Sequence, residues 1–451
     1  MSERVVHPTH TGTHSDDPGR IAAGYGDAGQ VVGGPSGAGR VSSWQGDAGA
    51  AGSSAVDGLD IAVLPVHGDV GQVAEGLLDH VPEETLRRWR LAGGIQVRTL
   101  VTARADGVLV GAAFEVHRPL TDYRKIVDVW APDERVADLL VETIEERAWR
   151  EGAVAVKRWF AAKDPDCDEI GGAPEALGGS ADHRVGGPAD PAVNTAGTSA
   201  AAGKSAWRRS LERGYREVPV PTWAAPVTTN PADTGYGQVR WRGAAPDRAL
   251  PYMRQTTDFT CGPVALQLAL CGLGLQDQPD RGEEMRMWRQ ATTVAGCDPL
   301  GLALAAADRG AVPEVLLSTE QPTLLELCTT DEERDLRRFI QSGFRADLAE
   351  RGITVETTAF DIDRLRAVLA DGAIALVLIE QLGMHAEPSP HWITVHSVDG
   401  DIFYANDPWT DADLGETYLD ALDLPLPSAT LDRLAWYGTP SYRSMVVLRA
   451  A

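Results

Sequence analysis

A ten-residue run beginning at Cys261 constrains this chain more than any other stretch: Cys-Gly-Pro-Val-Ala-Leu-Gln-Leu-Ala-Leu. It is apolar, patterned as a helix, and preceded six residues earlier by Gln255. Pro263 suits a first helical turn, where its missing N–H has no partner to lose. Gly262 would permit close approach of a substrate backbone. At such a helix start, unpaired backbone N–H groups and the positive end of the helix dipole favour a thiolate. The Gln255 side chain could then offer an amide N–H to an oxyanion forming on an attacked carbonyl. The competing reading is a buried structural cysteine.

Downstream stands Pro390-His391-Trp-Ile-Thr-Val-His-Ser-Val-Asp399-Gly400-Asp-Ile-Phe-Tyr-Ala-Asn-Asp407-Pro-Trp. Asp-Gly between two β-rich runs signals a hairpin. A two-residue loop sets His391 opposite Pro408 and Trp392 opposite Asp407; a three-residue loop sets His391 opposite Asp407 itself. Both registers bring the Asp407 carboxylate within reach of the His391 ring. That arrangement holds an imidazole in one tautomer while it takes a proton from a thiol. Strand alternation sends His396 to the other face. His385 sits in a Gly-Met-His-Ala loop with no carboxylate expected beside it. Asn406 is a local rival to Asp407 for the orienting role.

Gln255 through Pro263, His391-Trp392 and Asp407-Pro408 resemble peptidase family C-39, papain-like cysteine endopeptidases that process double-glycine leaders. The likeness is closer still to its free-standing relatives that lack a transporter. The resemblance spans roughly 245–451 and implies four roles: Cys261 as nucleophile, His391 as base, Asp407 as orienting residue, Gln255 in the oxyanion hole. It implies no metal and no organic cofactor, with a peptide or protein as substrate. Between the motifs the chain is longer than the minimal peptidase, with helical stretches at Glu283–Trp288 and Asp331–Ile340.

A net charge of −24 argues against nucleic acid or an anionic membrane surface as a partner. The five cysteines (167, 261, 271, 297, 328) are scattered and lack CxxC spacing, which disfavours a zinc site or a disulfide framework. No apolar run reaches spanning length, and the amino terminus lacks a hydrophobic signal region. A cytoplasmic location is expected.

Residues 1–56 and 162–204 are rich in Gly, Ala, Ser, Asp and Pro with few large apolar side chains, so both are expected to be disordered. Cys167 lies in the second, beside acidic residues that disfavour a thiolate. Between them runs an α/β pattern. A hairpin turns at Asp106-Gly107, a strand follows at Lys125–Ala131, an amphipathic helix spans Glu134–Arg150, and another strand begins at Ala153. After the insertion come a helix near Ala206–Tyr215 and Gly214-Tyr-Arg-Glu-Val-Pro-Val. This succession resembles the GNAT N-acetyltransferase fold over 57–226. GNAT enzymes cradle the coenzyme A pyrophosphate on a glycine turn at the long helix. Here that junction reads Ala131-Pro-Asp133-Glu134, with no glycine and two carboxylates, so acetyl-CoA binding is not expected.

The expected fold class is therefore α+β to α/β in two domains, a GNAT-like mixed sheet with helices and then a papain-like cysteine peptidase fold. The boundaries are a tail to 56, a first domain 57–226, a linker 227–244 and a second domain 245–451. The function implied is that of an intracellular cysteine peptidase or an acyl-transferring relative. Two other readings stay open: a GNAT N-acetyltransferase with an accessory peptidase-like module, and a binding protein that keeps only the peptidase fold.

Overall fold

The computed structural model describes residues 52–56, 58–161, 205–222 and 235–451. Most of the expected disordered tail, the whole expected insertion and Cys167 lie outside them.

The first sheet has eight strands: β1 (Gly52–Val56), β2 (Leu59–Pro65), β3 (Val97–Ala105), β4 (Val108–His117), β5 (Tyr123–Trp130), β6 (Ala155–Phe160), β7 (Arg216–Val218) and β8 (Tyr236–Trp241). Their order is β1-β2-β3-β4-β5-β6-β8-β7. Only β5 and β6 run parallel, pairing from Tyr123↔Ala155 to Ile126↔Arg158. Helices α1 (Leu77–His80), α2 (Glu83–Leu91), α3 (Glu134–Arg150) and α4 (Ala206–Glu212) accompany it. The hairpin at Asp106-Gly107 forms as expected, because both residues take positive φ, 49° and 80°. Helix α3 covers one face with Val136, Leu140, Val141, Ile144 and Ala148 against Val101, Ala113, Ile126 and Val156. Two boundaries differ from expectation. Residues 52–56 form an edge strand on β2, which backbone pairing allows without large side chains. The stretch read as a linker supplies β8, inserted between β6 and β7, because Tyr-Gly-Gln-Val-Arg-Trp can ladder with both neighbours.

The second sheet has seven strands, β9 (Ala311–Leu317), β10 (Val355–Glu356), β11 (Ile374–Glu380), β12 (Pro390–Asp399), β13 (Ile402–Asn406), β14 (Leu424–Pro427) and β15 (Ser444–Ala450). The order is β10-β9-β15-β11-β12-β13-β14, antiparallel but for β10 on β9. Its helices are α5 (Cys261–Gly272), α6 (Arg281–Ala291), α7 (Pro299–Ala307), α8 (Asp331–Glu350), α9 (Ile362–Ala370), α10 (Leu382–His385) and α11 (Ser428–Leu434). Central β11 is apolar from Ile374 to Ile379 because both its faces are covered. Ile374, Leu376 and Leu378 pack in the cluster with α5 and α7. Ala375, Val377 and Ile379 pack in the cluster with α9 and α11. Helix α5 is thus sandwiched, and Val264, Ala265, Leu266, Leu268 and Ala269 are fully buried.

Candidate active site

Burial of α5 fixes where its first residue points. Cys261 is the first helical residue, 8% exposed, and its N-cap Thr260 makes no side-chain cap bond. The first-turn N–H groups therefore face the thiol's surroundings without intrahelical partners. Gly262 has a different role from the expected approach of substrate. A Cβ there would meet Cys297 Cβ at 2.9 Å and Leu302 and Trp392 at 3.2 Å, so the missing side chain lets α5 sit close against α7 and β12. The loop before Cys261 is anchored by Glu284 of α6, which is fully buried. Its carboxylate accepts from Thr256 N–H at 2.9 Å, from the Thr256 hydroxyl at 2.8 Å, and from the Thr260 hydroxyl.

His391 is the second residue of β12 and is 3% exposed. Its Nε2 lies 2.7 Å from Asp407 Oδ1, and the Cys261 side chain is near enough to help hold the ring in its charged form. With Nε2 occupied by Asp407, Nδ1 is the nitrogen left for the thiol. Burial alone would lower the His391 pKa, but the Asp407 charge and hydrogen bond, with the contact to Cys261, carry it up to about 10. Burial would likewise raise Asp407, yet His385 and His391 hold its carboxyl well below the usual range.

The strand register is neither of the two expected. Asp399 pairs with Ile402, so Gly400-Asp401 is the turn, and a bulge between Val395 and Ser397 shifts the pairing to Thr394↔Asn406. Glycine takes the first central turn position, at φ 54°, instead of the second as in the 106–107 hairpin. Asp407 follows the last residue of β13 and is held in place by its backbone. Its N–H bonds Ala421 O at 2.9 Å, and its carbonyl accepts from the Tyr252 hydroxyl at 2.9 Å. The neighbouring Asn406 turns away and accepts from Asp423 N–H at 2.9 Å. His396 Nε2 lies 3.2 Å from Asp423, remote from this cluster.

Three contacts to Asp407 were not visible in the sequence. His385, expected to lack a carboxylate, places Nε2 2.8 Å from Asp407 Oδ2. The short helix α10 turns it there, edge-on to His391 with ring centroids 5.6 Å apart. Arg118, between β4 and β5, donates to the same oxygen at 3.0 Å. Trp409 N–H donates to Oδ1 at 2.9 Å. His385, His391 and Asp407 offer ligand atoms within 4.8 Å of one another, a set able to hold a metal ion. A cation there would face the buried Arg118 guanidinium across one shared oxygen, which opposes it.

Gln255 lies beside this group, since its backbone N–H donates to Pro408 O at 2.8 Å. Its side chain is 2% exposed and spends one amide hydrogen on Thr257 O at 2.8 Å. Gln255 is thus tied by its backbone to the segment that begins at Asp407, with its side chain turned partly to its own loop.

The α3 start does not fit a pyrophosphate. Asp133 caps it and accepts from Arg135 N–H at 2.8 Å, while Glu134 reaches Arg209 at 3.3 Å. The chain's own carboxylate takes a donor that an anion would need.

Residues 250–449 match a family described as "Peptidase_C39 like family". No curated protein matches the chain. Among solved structures, the chain is similar to a double glycine motif protease from an AMS/PCAT transporter, solved in complex with the leader peptide. That similarity is at 14% identity over 45% of this chain and 94% of that one, with a TM-score of 0.24. It is similar to a GNAT family acetyltransferase from Elizabethkingia anophelis with acetyl-CoA bound, at 9% identity over 41% and 99% of the two chains, TM-score 0.23. A tandem GNAT protein from the clavulanic acid biosynthesis pathway is 8% identical over 86% of this chain and 98% of its own, TM-score 0.23.

Proposed function

We propose that the chain from about residue 245 onward is a cysteine peptidase, or a relative that passes the same acyl group to an amine. The observation that carries this is the His391 ring held by Asp407 at 2.7 Å, with Cys261, the first residue of α5, near enough to favour its charged form. The match of 250–449 to a peptidase-like family supports it.

In this reading the charged His391 ring, held by Asp407, already carries the Cys261 proton on Nδ1, and the sulfur attacks a peptide carbonyl carbon as a thiolate. The oxyanion is met by the Cys261 backbone N–H and the second amide hydrogen of Gln255. His391 then gives its proton to the leaving amine, and a thioester remains on Cys261. Water, or a second amine, attacks that thioester while His391 takes its proton, and the sulfur leaves as the thiolate beside the charged ring. Asp407 keeps the ring oriented and stabilises its charged form through both proton transfers. The four described cysteines are unpaired, which suits a reducing compartment such as the cytoplasm. No helix among the described residues is long and apolar enough to cross a membrane.

The test is cleavage of a mixed peptide library read by mass spectrometry. Wild-type protein should yield defined cleavage or transpeptidation products that vanish in Cys261→Ala. Products that persist in Cys261→Ala would refute the reading. The acetyltransferase reading makes a separate demand, saturable acetyl-CoA binding below about 1 mM by calorimetry, and the capped α3 start argues that none will be found.

A further inference from the structure

Arg118 follows β4 directly and opens the turn into β5, so it belongs to the first sheet. Its side chain is completely buried and directed wholly at the second half of the chain. One terminal nitrogen donates to Asp407 Oδ2 at 3.0 Å. Nε and the other terminal nitrogen grip the two Glu416 oxygens at 2.8 and 2.6 Å. A single guanidinium therefore joins two carboxylates of one segment and closes residues 407–416 into a loop that begins at the His391 partner. Glu416 is itself tied back by Asp411 N–H at 2.9 Å.

The contacts around it repeat the pattern. On β5, Lys125 is ion-paired with Asp420, and the Tyr123 hydroxyl donates to the same carboxylate at 2.7 Å. On β6, Lys157 donates to the carbonyls of Leu419 at 2.7 Å and Leu422 at 2.6 Å. Residues 419–422 are thus held by side chains of the parallel strand pair.

We propose that Arg118 is a positioning residue of the thiol site, so that the first sheet is a working part of the catalytic centre. The inference rests on the reading of Cys261, His391 and Asp407 given above. A carboxylate that must aim one oxygen at an imidazole is best fixed by its other oxygen, and Arg118 supplies that hold in a planar, always-charged form. Of the four donors on Asp407, two come from β12 and α10, one from its own loop, and only Arg118 from outside the second sheet's half. The charged and titratable groups facing this point are Arg118, Asp407, Glu416, His385 and His391, with Tyr123 and Asp420 next to Arg118 and the Arg254 guanidinium stacked on Trp409.

The experiment is the pH profile of Cys261 alkylation by iodoacetamide in the full-length protein, which requires no known substrate. The double variant Arg118→Gln/Glu416→Gln removes one positive and one negative charge, so the direct field at His391 changes little and the loss of hold on Asp407 is what is read. Alkylation at about pH 6.5 should fall about tenfold, the equivalent of one pKa unit, with the circular dichroism spectrum unchanged. Arg118→Lys should recover part of the rate, since it keeps the charge without the fork. A folded double variant with the wild-type profile would overturn the inference. If the double variant does not fold, Arg118→Lys decides: a wild-type profile overturns the inference and a slowed one upholds it. Wild-type Cys261 reacting no faster than Cys271 would bring down the peptidase reading and this inference together. Fast wild-type alkylation that ignores Arg118 would bring down this inference alone.

Discussion

The His391–Asp407 pair sets a sign for the pH dependence of stability. His391 is raised to about 10 when folded, against about 6.5 in an open chain. Its contribution is therefore complete below the unfolded value and is lost as pH rises through the folded one. Asp407 is depressed, so its contribution is present above the ordinary carboxylate range and disappears as pH falls. Melting temperature should decline as pH rises toward about 10, and His391→Gln should remove most of that alkaline slope in a fluorimetric melt. An unchanged slope in His391→Gln would place the titrating group elsewhere. Asp407→Asn should cut peptide turnover by a few orders of magnitude, as loss of a triad carboxylate does, and Asn406→Ala should cost far less. The pattern Gln255, Cys261, His391 and Asp407 was legible because residue type and order carry it. His385 was not, because whether a loop histidine turns toward a carboxylate depends on a backbone turn that no spacing announces. Arg118 was further out of reach, since 289 residues separate it from Asp407.

Among the elements, α5 and its preceding loop do most to set the site. Gly262→Ala would drive a methyl into Cys297, Leu302 and Trp392, and such overpacking should cost about 1–3 kcal/mol in chemical denaturation. Were Gly262 a substrate-facing residue, the same change would leave stability intact and impair only turnover. Glu284→Ala strips the Thr256 N–H and two threonine hydroxyls of their acceptor, a loss of about 1–3 kcal/mol, and should slow Cys261 labelling as the loop loosens. Helices α3, α6 and α8 were readable from apolar periodicity, with α3 falling on the expected Glu134–Arg150. The β12–β13 register was not, because a bulge and the turn position chosen by Gly400 shift the pairing after the pattern has been read. Strand β8 escaped for a related reason: it is short, lies far along the chain from β6, and depends on a ladder rather than on its own side chains.

At the scale of the whole molecule, the two sheets are joined by buried charge. Lys125 and Asp420 are both fully buried, so Lys125→Met leaves a carboxylate without its cation and should cost about 3–5 kcal/mol. The loss should appear in one cooperative transition, seen alike by tryptophan fluorescence and far-ultraviolet dichroism; two separated transitions in the wild type would mean that the sheets fold independently. The most direct test of the thiol centre is site-resolved alkylation of the intact protein by iodoacetamide at about pH 6.5, with each cysteine followed by mass spectrometry. Exposure alone favours Cys271, which is half-buried, over Cys261 at 8%. Burial pushes the Cys271 thiol up to about 12 and raises Cys297 as well. The account predicts that Cys261 is modified at least about tenfold faster than Cys271, Cys297 and Cys328, and that Asp407→Asn abolishes the advantage. Labelling that follows exposure, with Cys271 first and no response to Asp407→Asn, would contradict it.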